Sequence, residues 1–318
     1  MSILMLAAED DHTADAMVRA LTDREVVVHR IDTAWFPRQL RLEAELTRGR
    51  WTGTLAIPHR TVELGSVSAI WYRSPAAYRF PEAMTETERH HAAIEAKYGL
   101  GGVLASLPVL WVNHPSRMAD AAYKPAQLAL AAACGLDVPD TVVTNTERAV
   151  RSFATGGPTV TKLMGMGSLV EDGVRRSMTT QPLTAEDLDD LRGVEHTTHL
   201  FQRWAPKSFE ARVIVVGHRL NAFGIYAGSD AGHIDWRADY PTNRYEEIEL
   251  PADVATGIRD LMKRLDLAYG ALDFVIGPDG KWTFLEINPA GQYGWLQHHT
   301  GVDITGQLAD LLLTGETP

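Results

Sequence analysis

Apolar and polar positions along the chain follow two periods, and the segments they mark alternate. Short apolar runs at 2–8 and 26–31 read as buried strands, and between them 12–21 carries helical spacing with Ala16, Met17, Ala20 and Leu21 on one face. This β-α-β opening predicts a parallel sheet. Alternating or apolar stretches at 41–46, 51–57, 61–64, 67–73 and 109–112 predict further strands, and 82–106 predicts a helix with a weak point at Gly99, Gly101 and Gly102. Beyond the break at Asn113-His114-Pro115, 117–134 reads as one helix carrying Lys124, Gln127 and Leu128. Strands follow at 141–144, 158–162, 174–180, 199–204, 210–217 and 219–225, with a capped helix over 184–192 that has Thr184 at its N-cap and Asp187 three residues on. The helix at 251–265 is amphipathic through Val254, Ile258, Leu261, Met262 and Leu265, and 301–313 closes the chain as another helix.

The most informative stretch is 271–292. Two apolar runs flank Gly277-Pro278-Asp279-Gly280, which is turn chemistry, so the stretch predicts a hairpin with Asp273 opposite Glu286, give or take a bulge. Asn288, two residues beyond Glu286, projects from the same face. Facing carboxylates in the middle of apolar strands destabilise a bare sheet, and a hard cation reverses that sign. Mg²⁺ takes oxygen ligands, usually one or two carboxylates plus phosphates. Asp273, Glu286 and Asn288 therefore read as ligands of a metal–phosphate site; a surface hairpin with solvated carboxylates is the plainer alternative.

Composition narrows the class. The 318 residues carry a formal net charge of −11 and 45% hydrophobic residues, an ordinary globular balance that disfavours a broad nucleic-acid surface. One cysteine, Cys134, excludes an intramolecular disulfide framework. The opening apolar run is short, lacks a basic flank and meets Glu9-Asp10-Asp11, so it does not read as a signal peptide; with no apolar run long enough to span a bilayer, the expectation is a cytoplasmic protein without membrane contact. Neither a G-x-G-x-x-G turn, a P-loop nor a G-x-S-x-G elbow is present.

The phrase from Leu272-Asp-Phe-Val-Ile to Phe284-Leu-Glu-Ile-Asn-Pro-Ala-Gly-Gln292, followed by Trp295, resembles the metal-binding end of the ATP-grasp superfamily, and within it the graspetide synthetases of the microviridin type. Trp71-Tyr-Arg-Ser-Pro75, the run from Asn113 through Lys124-Pro-Ala-Gln-Leu128, Glu210-Ala-Arg-Val-Ile-Val-Val-Gly217 and Asp235-Trp-Arg237 resemble that branch too, although Tyr123 stands where the family has Asn and Glu210 where it has Asp. The resemblance implies an α/β ATP-grasp fold: a pre-ATP-grasp α/β domain over 1–114, then two α+β lobes that clasp ATP, a small one over 115–198 with a lid hairpin and a large one over 199–318. It implies Lys124 and Lys162 on the nucleotide phosphates, Gln202 at the adenine edge, and Arg212 and Arg237 at the transferred phosphate. It places Lys207 and Glu210 with the nucleotide and Asp273, Glu286 and Asn288 on Mg²⁺. Gly165 and Gly167 fall in a loop whose backbone N–H groups could approach phosphate oxygens. Arg73, at a strand's carboxyl end where α/β sheets take ligands, is either a substrate contact or a surface arginine.

Three functions are consistent with these residues. The first, implied by the branch, is an ATP-dependent ligase that phosphorylates Asp or Glu side chains of a ribosomal precursor peptide, leader plus core, and condenses them with Thr or Ser hydroxyls or Lys amines. The second is an ATP-grasp carboxylate–amine ligase on free amino acids or another small carboxylate. The third is a nucleotide-binding module without turnover. The family also implies a homodimer. For the acidic 184–192 helix, the dipole explains the acids, and a docking face for a basic leader is the sharper alternative.

Overall fold

A computed structural model describes residues 2–165, 168–171, 174–177 and 179–315, without side chains for 168–177. Gly167, named above as a phosphate contact, lies outside the described residues, as do Asp172 and Gly173 within the expected lid hairpin.

The first unit is a four-stranded parallel sheet in the order Val27–Ile31, Ser2–Ala7, Val67–Ser74, Leu110–Val112. Ser2–Ala7 is buried at every position, as a central parallel strand covered on both faces must be. The helix His12–Thr22 starts at an Asp11 cap that accepts the amides of Thr13 and Ala14, and buries Ala14, Met17 and Leu21. The expected face was therefore off by part of a turn, because Ala16 and Ala20 are only partly covered. A three-stranded meander, Arg41–Thr47, Arg50–Ile57 and Arg60–Glu63, shares a core with Leu4, Ile70, Leu100 and Leu104. Glu86–Ala105 runs unbroken through its three glycines, held at its start by a reciprocal Thr85–Glu88 capping box.

The expected single helix over 117–134 is two, Pro115–Ala121 and Lys124–Ala133. Pro125 explains the break: it lacks an N–H and disfavours the helical region for the residue before it, so a helix starts there rather than passes through. This break leaves Lys124 at a helix N-terminus.

Two antiparallel sheets follow. Gln181–Pro182, Thr159–Lys162, His199–Arg203 and Thr141–Thr144 form the smaller in that order. The larger runs Arg244–Glu247, Arg219–Tyr226, Phe209–Val216, Tyr269–Ile276, Trp282–Asn288. Ser168–Glu171 and Val174–Ser177 pair as a separate antiparallel hairpin. Sheet membership divides the chain differently from the sequence reading in two places. His199–Arg203 belongs to the smaller sheet, and Leu128 and Ala131 share the core of the larger sheet with Val213, Leu272 and Phe284. Apolar pattern marks an element but not its partner. The strand Arg244–Glu247 and the helices Glu147–Ala154 and Gly294–Thr300 have weak or short apolar patterns and were not anticipated. No helix among the described residues is long and apolar enough to cross a membrane.

Candidate active site

The 271–292 hairpin forms with Asp273 directly opposite Glu286 and Ala271 opposite Asn288. A bulge between Asp273 and Phe274 shifts the register on the turn side, where Phe274 faces Phe284. Gly280, at φ 79°, takes the left-handed turn position that favours glycine.

The hairpin floors a cleft of about 700 Å³ between the two antiparallel sheets. Five cations line it, Lys124, Lys162, Arg203, Lys207 and Arg237, against four carboxylates, Glu210, Asp235, Asp273 and Glu286; the formal balance is +1, inside a chain of net charge −11. This local excess suits a polyanion. Glu286 is the hub: Lys124 Nζ lies 2.8 Å from its Oε2, and Arg237 Nη2 donates to its Oε1 at 3.3 Å. Burial raises the pKa of this carboxyl, but the Lys124 and Arg237 charges outweigh that and hold it down at about 2. Asp273 is 3% exposed and accepts from Arg212 Nη1 at 2.9 and 3.2 Å and from Arg237 Nη2 at 2.6 Å. Burial opposes the charge on Arg237 too, yet Asp273 and Glu286 raise its pKa on balance.

Lys124 also donates to the Leu163 carbonyl at 2.8 Å, bridging from the larger sheet's helix to the smaller sheet. Lys162 ends its strand, and its side-chain amine has no ion pair or hydrogen bond among the described residues; burial lowers its pKa in spite of Glu286 and Glu210 nearby. A buried amine with that history gains from an arriving phosphate. Lys207 is paired with Glu210 and donates to the Ile234 carbonyl at 3.1 Å. Burial raises the Glu210 pKa, which Lys207 partly offsets. Gln202 is 2% exposed and donates to Thr141 Oγ1 at 3.1 Å. Gly165 is exposed at the cleft, and a Cβ there would meet nothing within 4 Å.

Two anticipated residues stand outside the cleft lining. Arg212 sits behind Asp273, 4% exposed, with its guanidinium 5.8 Å from the Trp236 ring centre. Arg73, 3% exposed, donates to the Ala290 carbonyl at 2.9 Å and lies 3.4 Å from Asp11 Oδ2. It lines a separate void of about 10 Å³ with Tyr269 and Tyr293 and braces the 288–292 loop from beneath. Asn113 donates to the Pro289 carbonyl at 2.8 Å and Tyr269 Oη to that of Gly291 at 2.7 Å. Three successive carbonyls of this loop are thus held by buried donors.

The sequence reading gave no role to Asn113, Gln127 or Asp235. Gln127 grips both backbone groups of Ile287, next to Glu286, accepting at 3.0 Å and donating at 2.9 Å. Asn113 accepts from Ala268 and Tyr269 at 2.8 and 3.0 Å. A buried amide on an apolar helix face was the available signal for Gln127.

Asp273 and Glu286, facing across the strands with the exposed Asn288 beside them, offer hard oxygen donors, which fit a divalent cation that also takes phosphate oxygens. Both carboxylates are now neutralised by side-chain cations, of which Arg237 is 37% exposed. Among the described residues no group of three or more His, Cys, Asp or Glu could hold a metal.

The depressed Glu286 carboxyl makes a pH prediction. A folded-state pKa below the ordinary carboxylate value contributes stability above about pH 4.5, lost as pH falls through about 2. The urea midpoint is expected to fall less between about pH 5 and about pH 3 in Glu286→Gln than in the wild type. Parallel falls in the two proteins would remove the assigned role of the Lys124–Glu286–Arg237 cluster.

Residues 2–119 match the family of the MvdD pre-ATP grasp domain. Among solved structures, the chain resembles the macrocyclase MdnC from Microcystis aeruginosa MRC, bound with precursor peptide MdnA: 27% identity, TM-score 0.87, covering 98% of this chain and 99% of that one. It resembles the Chryseobacterium gregarium RiPP-associated ATP-grasp ligase, in complex with ADP and a leader and core peptide, at 28% identity and TM-score 0.92, covering 100% and 98%. The macrocyclase MdnB from Microcystis aeruginosa MRC matches at 26% identity and TM-score 0.83, covering 99% of each chain. No curated protein matches the chain.

Proposed function

We propose that this chain, which belongs to the graspetide synthetase branch of the ATP-grasp superfamily, is an ATP-dependent ligase that closes macrocycles in a ribosomal precursor peptide. The observation that carries the reading is the cationic cleft floored by Asp273 and Glu286, in a chain whose whole length superposes on peptide macrocyclases.

In this reading an Asp or Glu side chain of the core peptide attacks the γ-phosphorus of ATP, and the bond to ADP breaks. A Thr or Ser hydroxyl or a Lys amine then attacks the acyl phosphate carbon, loses its proton, and phosphate leaves. The product is an ω-ester or ω-amide. The chain's contribution is positioning and charge, as phosphoryl transfer requires. Lys162 and Lys124 receive the phosphates, Gln202 and the His199–Arg203 strand border the base, and Lys207 with Glu210 flanks the nucleotide. Arg237 presents a fork to the transferred phosphate or the peptide carboxylate, while Arg212 adds charge from behind Asp273. Asp273, Glu286 and Asn288 would hold Mg²⁺, which when bound withdraws charge from phosphate oxygens. Use of ATP supports a cytoplasmic location, and the family resemblance supports a homodimer.

The test is intact-mass measurement of the short peptide encoded beside this gene after incubation with the protein, ATP and Mg²⁺. ATP-dependent stepwise loss of water is expected. An unchanged peptide, together with ADP release on free amino acids, would replace this reading with a small-molecule ligase.

A further inference from the structure

Asp235 is 6% exposed and shares its two oxygens between two elements. Oδ2 accepts the Thr180 amide at 3.0 Å. Thr180 immediately precedes Gln181–Pro182, which pairs with the strand ending at Lys162, so this bond reaches the smaller sheet. Oδ1 accepts the Arg237 amide at 3.1 Å and Arg237 Nη1 at 3.4 Å, on the larger-sheet side.

The bond is one end of a continuous series. The Leu163 carbonyl accepts from Lys124, Lys124 pairs with Glu286, Glu286 with Arg237, Arg237 with Asp235, and Asp235 with the Thr180 amide. The series leaves the smaller sheet just after Lys162, crosses the cleft floor and returns to the smaller sheet at Thr180. Lys124 and Glu286 already carry roles in the site. Asp235, at the other end, is bonded to neither Glu286 nor Asp273, and among the described residues its carboxylate accepts from Thr180 and Arg237 alone.

Its neighbour makes the arrangement directional. Trp236 is 2% exposed and its ring centre lies 4.7 Å from the Arg237 guanidinium and 5.0 Å from the Trp295 ring. Trp236 thus supports one face of Arg237, and Asp235 sets its azimuth. A guanidinium held on one face by an aromatic ring and at one edge by a carboxylate has little freedom left.

We propose that Asp235 is a positioning residue that couples the seating of the smaller sheet over bound nucleotide to the placement of Arg237. The inference rests on the ligase reading, since Arg237 is the arginine it aligns. Lys162, on the smaller sheet, must be in register with Arg237, on the larger, for a phosphate between them to be engaged by both. The Asp235–Thr180 bond is what ties that register to the arginine's own orientation. The Asp235 carboxyl is suited to a permanent acceptor, because Arg237 and the Thr180 and Arg237 amides more than offset the effect of its burial and lower its pKa.

Two variants test it. Asp235→Ala removes the acceptor. Thr180→Pro removes the donor N–H together with the Thr180 hydroxyl and leaves the Asp235–Arg237 contacts in place. Both are expected to lower kcat for peptide dehydration by about ten- to a hundredfold, while MgADP affinity stays within about twofold. Exchange measurements by NMR or mass spectrometry give a readout that a merely structural role would not move. In the wild type, MgADP is expected to protect both the Thr180 amide and the 236–238 segment; in both variants protection of 236–238 is lost although MgADP still binds. Equal MgADP-induced protection of 236–238 in wild type and Thr180→Pro, or wild-type kcat in that variant, would overturn the coupling. If the wild-type chain leaves the peptide unchanged, the ligase reading fails on its own, and the exchange comparison with MgADP still decides the coupling.

Discussion

Asp273→Asn is expected to reduce peptide dehydration by about a thousandfold, in the range measured when a single preorganised electrostatic group is removed from an active site. Asp273 accepts from both Arg212 and Arg237 and sits opposite Glu286. Without its charge, Arg212 at 4% exposure loses its one carboxylate partner among the described residues, Arg237 loses its shortest contact, and the proposed divalent cation would lose a ligand. Breaking a buried pair from one side costs about 3–5 kcal/mol, and an asparagine that still accepts a hydrogen bond should cost less. At about 2–4 °C per kcal/mol for a chain of this order of size, calorimetry should record a folded protein with a lowered Tm. Steady-state kcat within about threefold of wild type in a folded Asp273→Asn protein would remove this residue from the metal–phosphate site.

Gly291→Ala is expected to cost about a hundredfold in kcat by a different route. Gly291 is buried and lies outside the left-handed φ region, so no backbone strain arises, and the effect is one of space. A Cβ there would lie 2.4 Å from the Ala271 Cβ and 2.7 Å from Arg212 Nη2. Ala271 is on a fully buried strand and cannot give way, and the loop itself is pinned by Arg73, Asn113 and Tyr269. The least constrained neighbour is the Arg212 guanidinium, whose displacement disturbs Asp273. The measurement is kcat alongside the MgADP dissociation constant: a fall in kcat with affinity retained is expected, because Lys124, Lys162 and Gln202 lie elsewhere along the cleft. Unchanged kcat would show that the 288–292 loop does not set the place of Arg212.

Both predictions concern a site whose floor was legible in the chain and whose walls were not. The pairing of Asp273 with Glu286 follows from turn chemistry and strand period alone, because a hairpin is local and its register is set within about twenty residues. The two lysines were identified by resemblance to family motifs, and the structure puts both at the cleft. Arg73 shows the limit. A strand-end arginine in an α/β sheet is a fair ligand candidate, yet what it meets is the Ala290 carbonyl, brought there from 217 residues away. No local pattern carries that distance.

Local chemistry along the chain thus determined the alternation of helices and strands, the capped starts at Asp11 and Thr85, and the opposed acids of the hairpin, since each depends on neighbours within a few turns. Tertiary structure alone decided the rest. It assigned His199–Arg203 to the smaller sheet, brought Lys124 against Glu286, and set Arg212 behind Asp273 rather than in the cleft. It also closed the series from Leu163 to Thr180 through Asp235. The reason is physical: a buried charge is placed by the partner that stabilises it, and for these residues the partner belongs to another element of the fold.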